Sequence, residues 1–312
     1  MISRRLLRIK VLKALYAHLK SESESLMASE KTLVTSIDKT YDLYFQMLSL
    51  IVEVASYAEQ RQQVAMQKRL PTYEDLNPNR KFVENSVVRL IADSDSVNDY
   101  LASRKLSWAK YPELIKTLFT QLEQSEYYQK YMASPERSFR EDLALVTDFY
   151  TNELETSEML EDVLDEQSIL WNDDLGFALV MVTRTLSNMR ASHRDVKVLP
   201  KFKSEDDLEY AKELFEKSAI NFDRNLGQIE KVTRNWDIER VAFMDNIIMV
   251  TAMTELMSFP SIPVKVTLDE YIEIAKFYST QSSSTFINGV LDRVVAVLNE
   301  EGLINKSGRG LI

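Results

Sequence analysis

Apolar residues recur at spacings of three and four along nearly the whole chain, and strict alternation is almost absent. That period gives a helix one buried side and cannot settle as a strand, so it confines the fold to the all-α class. Only 6 Gly and 7 Pro occur in 312 residues, which leaves little material for hairpins. Helices are expected near 4–20, 31–69, 79–103, 111–132, 136–156, 158–190, 204–234, 237–258, 268–278 and 283–300. The breaks fall at Pro71, Asn77-Pro78, Pro112, Ser134-Pro135, Pro200 and Pro260–Pro263. Thr267-Leu-Asp-Glu270 reads as a capping box that starts one of these helices.

The charge pattern narrows the possible partners. A net charge of −10 argues against broad coating of nucleic acid. Residues 1–20 nevertheless hold Arg4, Arg5, Arg8, Lys10, Lys13 and Lys20 and no acid, whereas 136–174 hold thirteen acids against Arg137 and Arg140. Any RNA contact is thereby confined to the basic end. The chain has no cysteine, which removes disulfides, thiolate metal sites and cysteine nucleophiles and fits a reducing compartment. No apolar run is long enough to span a membrane, and the N-terminus lacks the pattern of a secretion signal, so a cytoplasmic location is expected.

On the first helix, Val11, Leu12, Leu15, Tyr16 and Leu19 form one apolar stripe. Arg4, Arg5 and Arg8 continue that stripe toward the N-terminus, while Lys10, Lys13 and Lys20 fall opposite and read as a solvated face. Arginines aligned with a core stripe must meet acids or a ligand, because burying them unpaired is costly. Two readings stay open. One is a phosphate site, since guanidinium grips phosphate bidentately and stacks on bases. The other is a set of ion pairs within the chain.

Residues 236–291 carry the most specific pattern. An apolar helix with two internal acids, Asp245 and Glu255, is followed by a turn with Pro260 and Pro263. A short extended piece, a capped helix, the serine loop 279–284 and Phe286-Ile-Asn-Gly-Val-Leu-Asp292 come next. That order resembles the C-terminal half of the NusB transcription antitermination family. The likeness is close over about 204–300 and loose over about 1–20, where Ala14-Leu15-Tyr16 follows the arginines. It implies an all-α NusB-like helical bundle made of 1–69 and 204–312, with an accessory helical insertion at 70–203.

The resemblance further implies a function. In that family the arginine-rich start of the first helix binds the boxA element of RNA. Arg4, Arg5 and Arg8, with Phe286 and Asn288, are thus the expected RNA-binding residues. Tyr16, Glu255, Ser282 and Phe286 are expected to meet the ribosomal protein NusE, with RNA polymerase engaged indirectly. The alternative is a helical protein-binding scaffold that has lost RNA binding.

Enzymatic readings find little support. No Gly-rich phosphate loop occurs, and His18 and His193 are not at metal-ligand spacing with nearby acids. RNA methyltransferases that carry a NusB-like domain need a glycine-rich turn and a cysteine nucleophile, which this chain lacks. No enzyme activity, cofactor or metal is expected.

Overall fold

The structure is a computed structural model that describes residues 1–21, 25–233, 241–280 and 283–311. Fifteen α-helices are described and, among these residues, no strand forms; the fold is all-α. In chain order they are α1 (Arg4–Lys20), α2 (Leu26–Met66), α3 (Tyr73–Leu76), α4 (Ser86–Ala92) and α5 (Asp95–Arg104). Next come α6 (Pro112–Gln124), α7 (Glu126–Ala133), α8 (Phe139–Asn152), α9 (Glu158–Gln167) and α10 (Leu175–Asn188). The last five are α11 (Asp207–Ile220), α12 (Phe222–Val232), α13 (Phe243–Ser258), α14 (Val264–Tyr278) and α15 (Ser283–Glu300).

The chain divides into two compact units. A central unit holds Met1 and Asp38–Lys201, and a terminal unit holds Ile2–Ile37 with Phe202–Ile312. Helix α2 runs from one into the other. Each unit is organised around one helix buried on every side. In the central unit it is the middle of α2, where Asp42–Leu48 are all buried. In the terminal unit it is α13, buried from Ile247 through Leu256 and packed against α1, α11, α12, α14 and α15. A helix apolar all round belongs in a core, and mean hydropathy alone marks α13 as such.

Several long periodic stretches break at serines that the periodicity hides. The expected helix 79–103 is two helices, α4 and α5, and Ser94 caps α5 by accepting from the Val97 amide. Ser125 ends α6 and caps α7 within the expected 111–132. The expected 158–190 divides at Ser168, which caps a 3-10 turn, Ile169–Trp171, ahead of α10. In each case a hydroxyl satisfies free amides of the next helix, which a hydrophobic repeat does not record. The expected 237–258 begins at Phe243 among the described residues; 237–240 lie outside them.

The predicted capping box is also corrected. Helix α14 starts at Val264 behind Pro263, so the expected extended piece is its first turn. Thr267 and Glu270 sit inside the helix and serve another purpose, described below.

The segment after α15 packs back on the Pro260 turn. The Ser307 amide donates to the Pro260 carbonyl, and Lys306 Nζ donates to the Phe259 carbonyl. A Cβ on Gly310 would stand 2.0 Å from the Pro260 oxygen, a distance no real side chain tolerates. Gly310→Ala should therefore detach this segment while leaving the helices intact. Hydrogen exchange should show lost protection at 306–311 only; unchanged protection there would refute the packing.

Candidate nucleic-acid and partner interface

The expected site begins on α1, and the structure places its residues at different depths. Ser3 caps α1 by accepting from the Leu6 amide. Leu6–Leu12 are then buried without interruption. The stretch Leu6–Leu12 is thus interior on all faces, including Lys10, which the stripe pattern had assigned to solvent. Only from Lys13 onward does α1 become one-sided.

Arg8 is interior: its side chain is 2% exposed and pairs with Glu255, which is fully buried. Nε and Nη2 donate to the two Glu255 oxygens at 2.8 Å each. Glu255 also accepts from Tyr210 Oη, from Thr267 Oγ1 at 2.8 Å and from Tyr271 Oη at 3.3 Å. One carboxylate thus ties α1, α11, α13 and α14 together. Burial pushes the Glu255 carboxyl up, but the Arg8 charge and the donated hydrogen bonds outweigh it and hold it below the ordinary range. Burial raises both Tyr210 and Tyr271 well above the usual phenol range, and the Glu255 charge adds to it, so both stay protonated donors. Glu255 therefore does not stand on a partner-facing surface, and Arg8 does not stand on an RNA-facing one. Both are consumed in the core.

Arg4 and Arg5 lie nearer the surface. The Arg4 side chain is 39% exposed, donates to Asp207 at 3.0 Å and covers the Tyr210 ring at 4.9 Å. Arg5 is 44% exposed and grips Glu270 bidentately at 2.8 and 3.0 Å. Glu270 also approaches Arg8 at 3.7 Å. Both ends of the supposed capping box are thus spent on the arginines: Thr267 serves their buried acceptor, and Glu270 is an ion-pair partner. Asp207 additionally accepts from the amides of Lys203 and Ser204, which fixes the entry to α11.

Farther along α1, Tyr16 is 39% exposed and meets Phe243 edge-on at 5.5 Å. Lys20 lies over the same Phe243 ring at 4.2 Å, and Lys13 lies over the Tyr278 ring at 5.6 Å. Asp245, at the start of α13, is buried and accepts from the Ser279 hydroxyl. On α15, Phe286 and Asn288 are half-buried, and Asn288 Nδ2 donates to Asp292 at 3.4 Å. Ser282 lies outside the described residues. Both α1 and α15 pack on α13 and α14.

Chemically, this surface offers two half-exposed guanidiniums, each already on a carboxylate, and beyond them an aromatic–lysine cluster. Asp207, Glu270 and Tyr210 were missed as participants. Their signal was the arginines themselves, which required acids from other helices that sequence spacing does not locate.

The terminal unit is an all-α module built around one buried helix. Residues 178–296 match the family model described as the NusB family, so this part of the chain is a NusB-family domain. The match starts inside α10 and does not include α1. The chain is 44% identical over 104 residues to the transcription antitermination protein NusB of Salinibacter ruber, covering 33% of this chain and 65% of that protein. It is 43% identical over 84 residues to that of Chloroherpeton thalassium, covering 27% and 40%. For that of Natranaerobius thermophilus the figures are 35% over 92 residues, covering 30% and 66%. The chain therefore spans less than two thirds of the length of each of these curated relatives. No solved structure matches it.

Proposed function

We propose that this chain acts in transcription antitermination, binding boxA-type single-stranded RNA together with NusE on ribosomal RNA operons. The observation that carries the reading is the 44% identity over 104 residues to a protein named for antitermination. In this reading Arg4 and Arg5 turn from Asp207 and Glu270 to RNA phosphate, with Phe286 and Asn288 beside the chain. Tyr16, Ser282 and Phe286 face NusE. Arg8 and Glu255 hold α1 in place from within. The terminal unit carries boxA and NusE recognition, and the central unit is an accessory.

A second reading is favoured by one observation: Arg4, Arg5 and Arg8 each already pair with an acid of the same chain. That suits a protein-binding scaffold without RNA affinity. A titration of boxA RNA, with and without NusE, separates the two. With two phosphates neutralised, the salt dependence of affinity should have a slope of roughly −1.4 on a log–log plot, from about −0.7 per single-strand contact. Arg4→Glu with Arg5→Glu should abolish binding in a folded protein. Affinity that survives the double variant sinks the RNA assignment. If the wild type binds NusE but no RNA, the scaffold reading stands instead.

A further inference from the structure

The central unit holds a cleft of about 570 Å³ whose walls carry an unusual share of positive charge for an acidic chain. One wall is the loop from Lys105 to Tyr111 between α5 and α6. Its shape is fixed from below, because Trp108 is buried and its indole N–H donates to the Gln46 carbonyl at 2.9 Å. Lys105 takes a left-handed backbone, φ 55°, which turns the chain sharply out of α5. The other wall is the end of α9 with the Ile169–Trp171 turn, and Trp171 is held by donation from its indole to the Lys39 carbonyl at 2.7 Å. Anchored walls make the cleft a formed feature of this unit.

Its chemistry is specific. Lys39, Arg104, Lys105 and Lys110 line it against a single lining carboxylate, Glu166. Arg104 and Lys39 are partly committed to the buried Asp42, at 2.7 and 3.3 Å. Lys105 and Lys110 are exposed and make no ion pair among the described residues. Tyr111 adds a ring at the rim.

We propose that this cleft takes a nucleotide unit, with its phosphate on Lys105 and Lys110 and its base against Tyr111. Cations beside an aromatic ring are the parts that hold single-stranded nucleic acid without reading a long sequence. The volume is within the range of small-molecule sites. A phosphate is preferred over a carboxylate ligand because two free ammonium groups and a guanidinium surround the space and only Glu166 opposes them. The nucleotide comes either from an RNA chain or from a free nucleotide. Only the RNA source rests on the antitermination reading above.

The test uses the full chain and its Lys105→Glu, Lys110→Glu double variant, both checked by circular dichroism and melting temperature. Three probes are titrated at low and moderate salt: a labelled oligouridylate lacking boxA, AMP, and a short boxA RNA. The wild type should bind oligouridylate or AMP, and the double variant should lose at least tenfold in affinity for the one bound. Lys110→Gln alone should lose less than the double reversal. Loss with oligouridylate alone assigns the RNA source, and loss with AMP as well assigns the free nucleotide. Under the antitermination reading the double variant should still bind the short boxA RNA through Arg4 and Arg5, and a double variant that binds it no better than oligouridylate would count against that reading alone. A wild type that binds neither oligouridylate nor AMP, or a folded double variant that binds them as well as wild type, overturns the cleft assignment.

Discussion

Glu255→Ala should destabilise the terminal unit by about 3–5 kcal/mol, the usual consequence of stranding one member of a buried ion pair. Arg8 would keep its charge at 2% exposure with no carboxylate, and the hydroxyls of Tyr210, Thr267 and Tyr271 would lose their shared acceptor. At roughly 2–4 °C per kcal/mol for a unit of this size, the melting transition should fall by on the order of 10 °C. Arg8→Met with Glu255→Leu should recover part of that loss, because no charge remains buried, but not all of it. A Glu255→Ala protein melting within about 2 °C of wild type would show that the pair is dispensable. Loss of partner binding in any Glu255 variant then reads as lost structure. The pH dependence follows from the same group. Its folded pKa is held below the ordinary value, so its contribution is complete above that value and is lost as pH falls through the folded one. Acid unfolding of wild type should therefore steepen below the usual carboxylate range, and the Glu255→Ala protein should lack that component.

Lys81→Met should cost the central unit about 2–4 kcal/mol. The Lys81 ammonium is buried and donates to the Tyr131 carbonyl at 2.7 Å, the Ser134 carbonyl at 3.0 Å and Glu141 at 2.8 Å. It also lies over the Tyr131 ring at 4.3 Å. The Tyr131 hydroxyl donates to Asp142 at 2.7 Å and lies 3.1 Å from the Lys81 carbonyl. Methionine fills the stem's volume, so the loss isolates the charged head. Glu141 is part-exposed and can regain water, whereas the two carbonyls lose a donor, at roughly 1–3 kcal/mol for a buried group left unsatisfied. Chemical denaturation, with hydrogen exchange at 81–142, measures the effect. A change under about 0.5 kcal/mol would demote this knot to a surface detail.

These two knots show where sequence stops being legible. The limits of α1 and α15 were readable because their ends coincide with serines and polar turns. The all-α class was readable from period alone. The use of Arg8, Glu255 and Thr267 was not. Local rules gave Thr267 a capping role, since it stands three residues before Glu270. The structure instead starts α14 at Val264 and turns Thr267 to Glu255 and Glu270 to Arg5. Tertiary demand outranked a local motif because a buried guanidinium needs its acceptors more than a helix end needs one cap. Lys10 failed for a related reason: a single-stripe reading assumes that a helix has a wet side, and between Leu6 and Leu12 α1 has none.

The Arg8–Glu255 bond spans 247 positions of the chain. During synthesis α1 is made before the central unit, yet its carboxylate and three hydroxyl partners are made only after that unit. The central unit, contiguous from Asp38 to Lys201, can fold while α1 still waits. Helix α1 is thus made before the central unit and secured after it. Closure of the terminal unit is set chemically, by the arrival of one acid at one arginine.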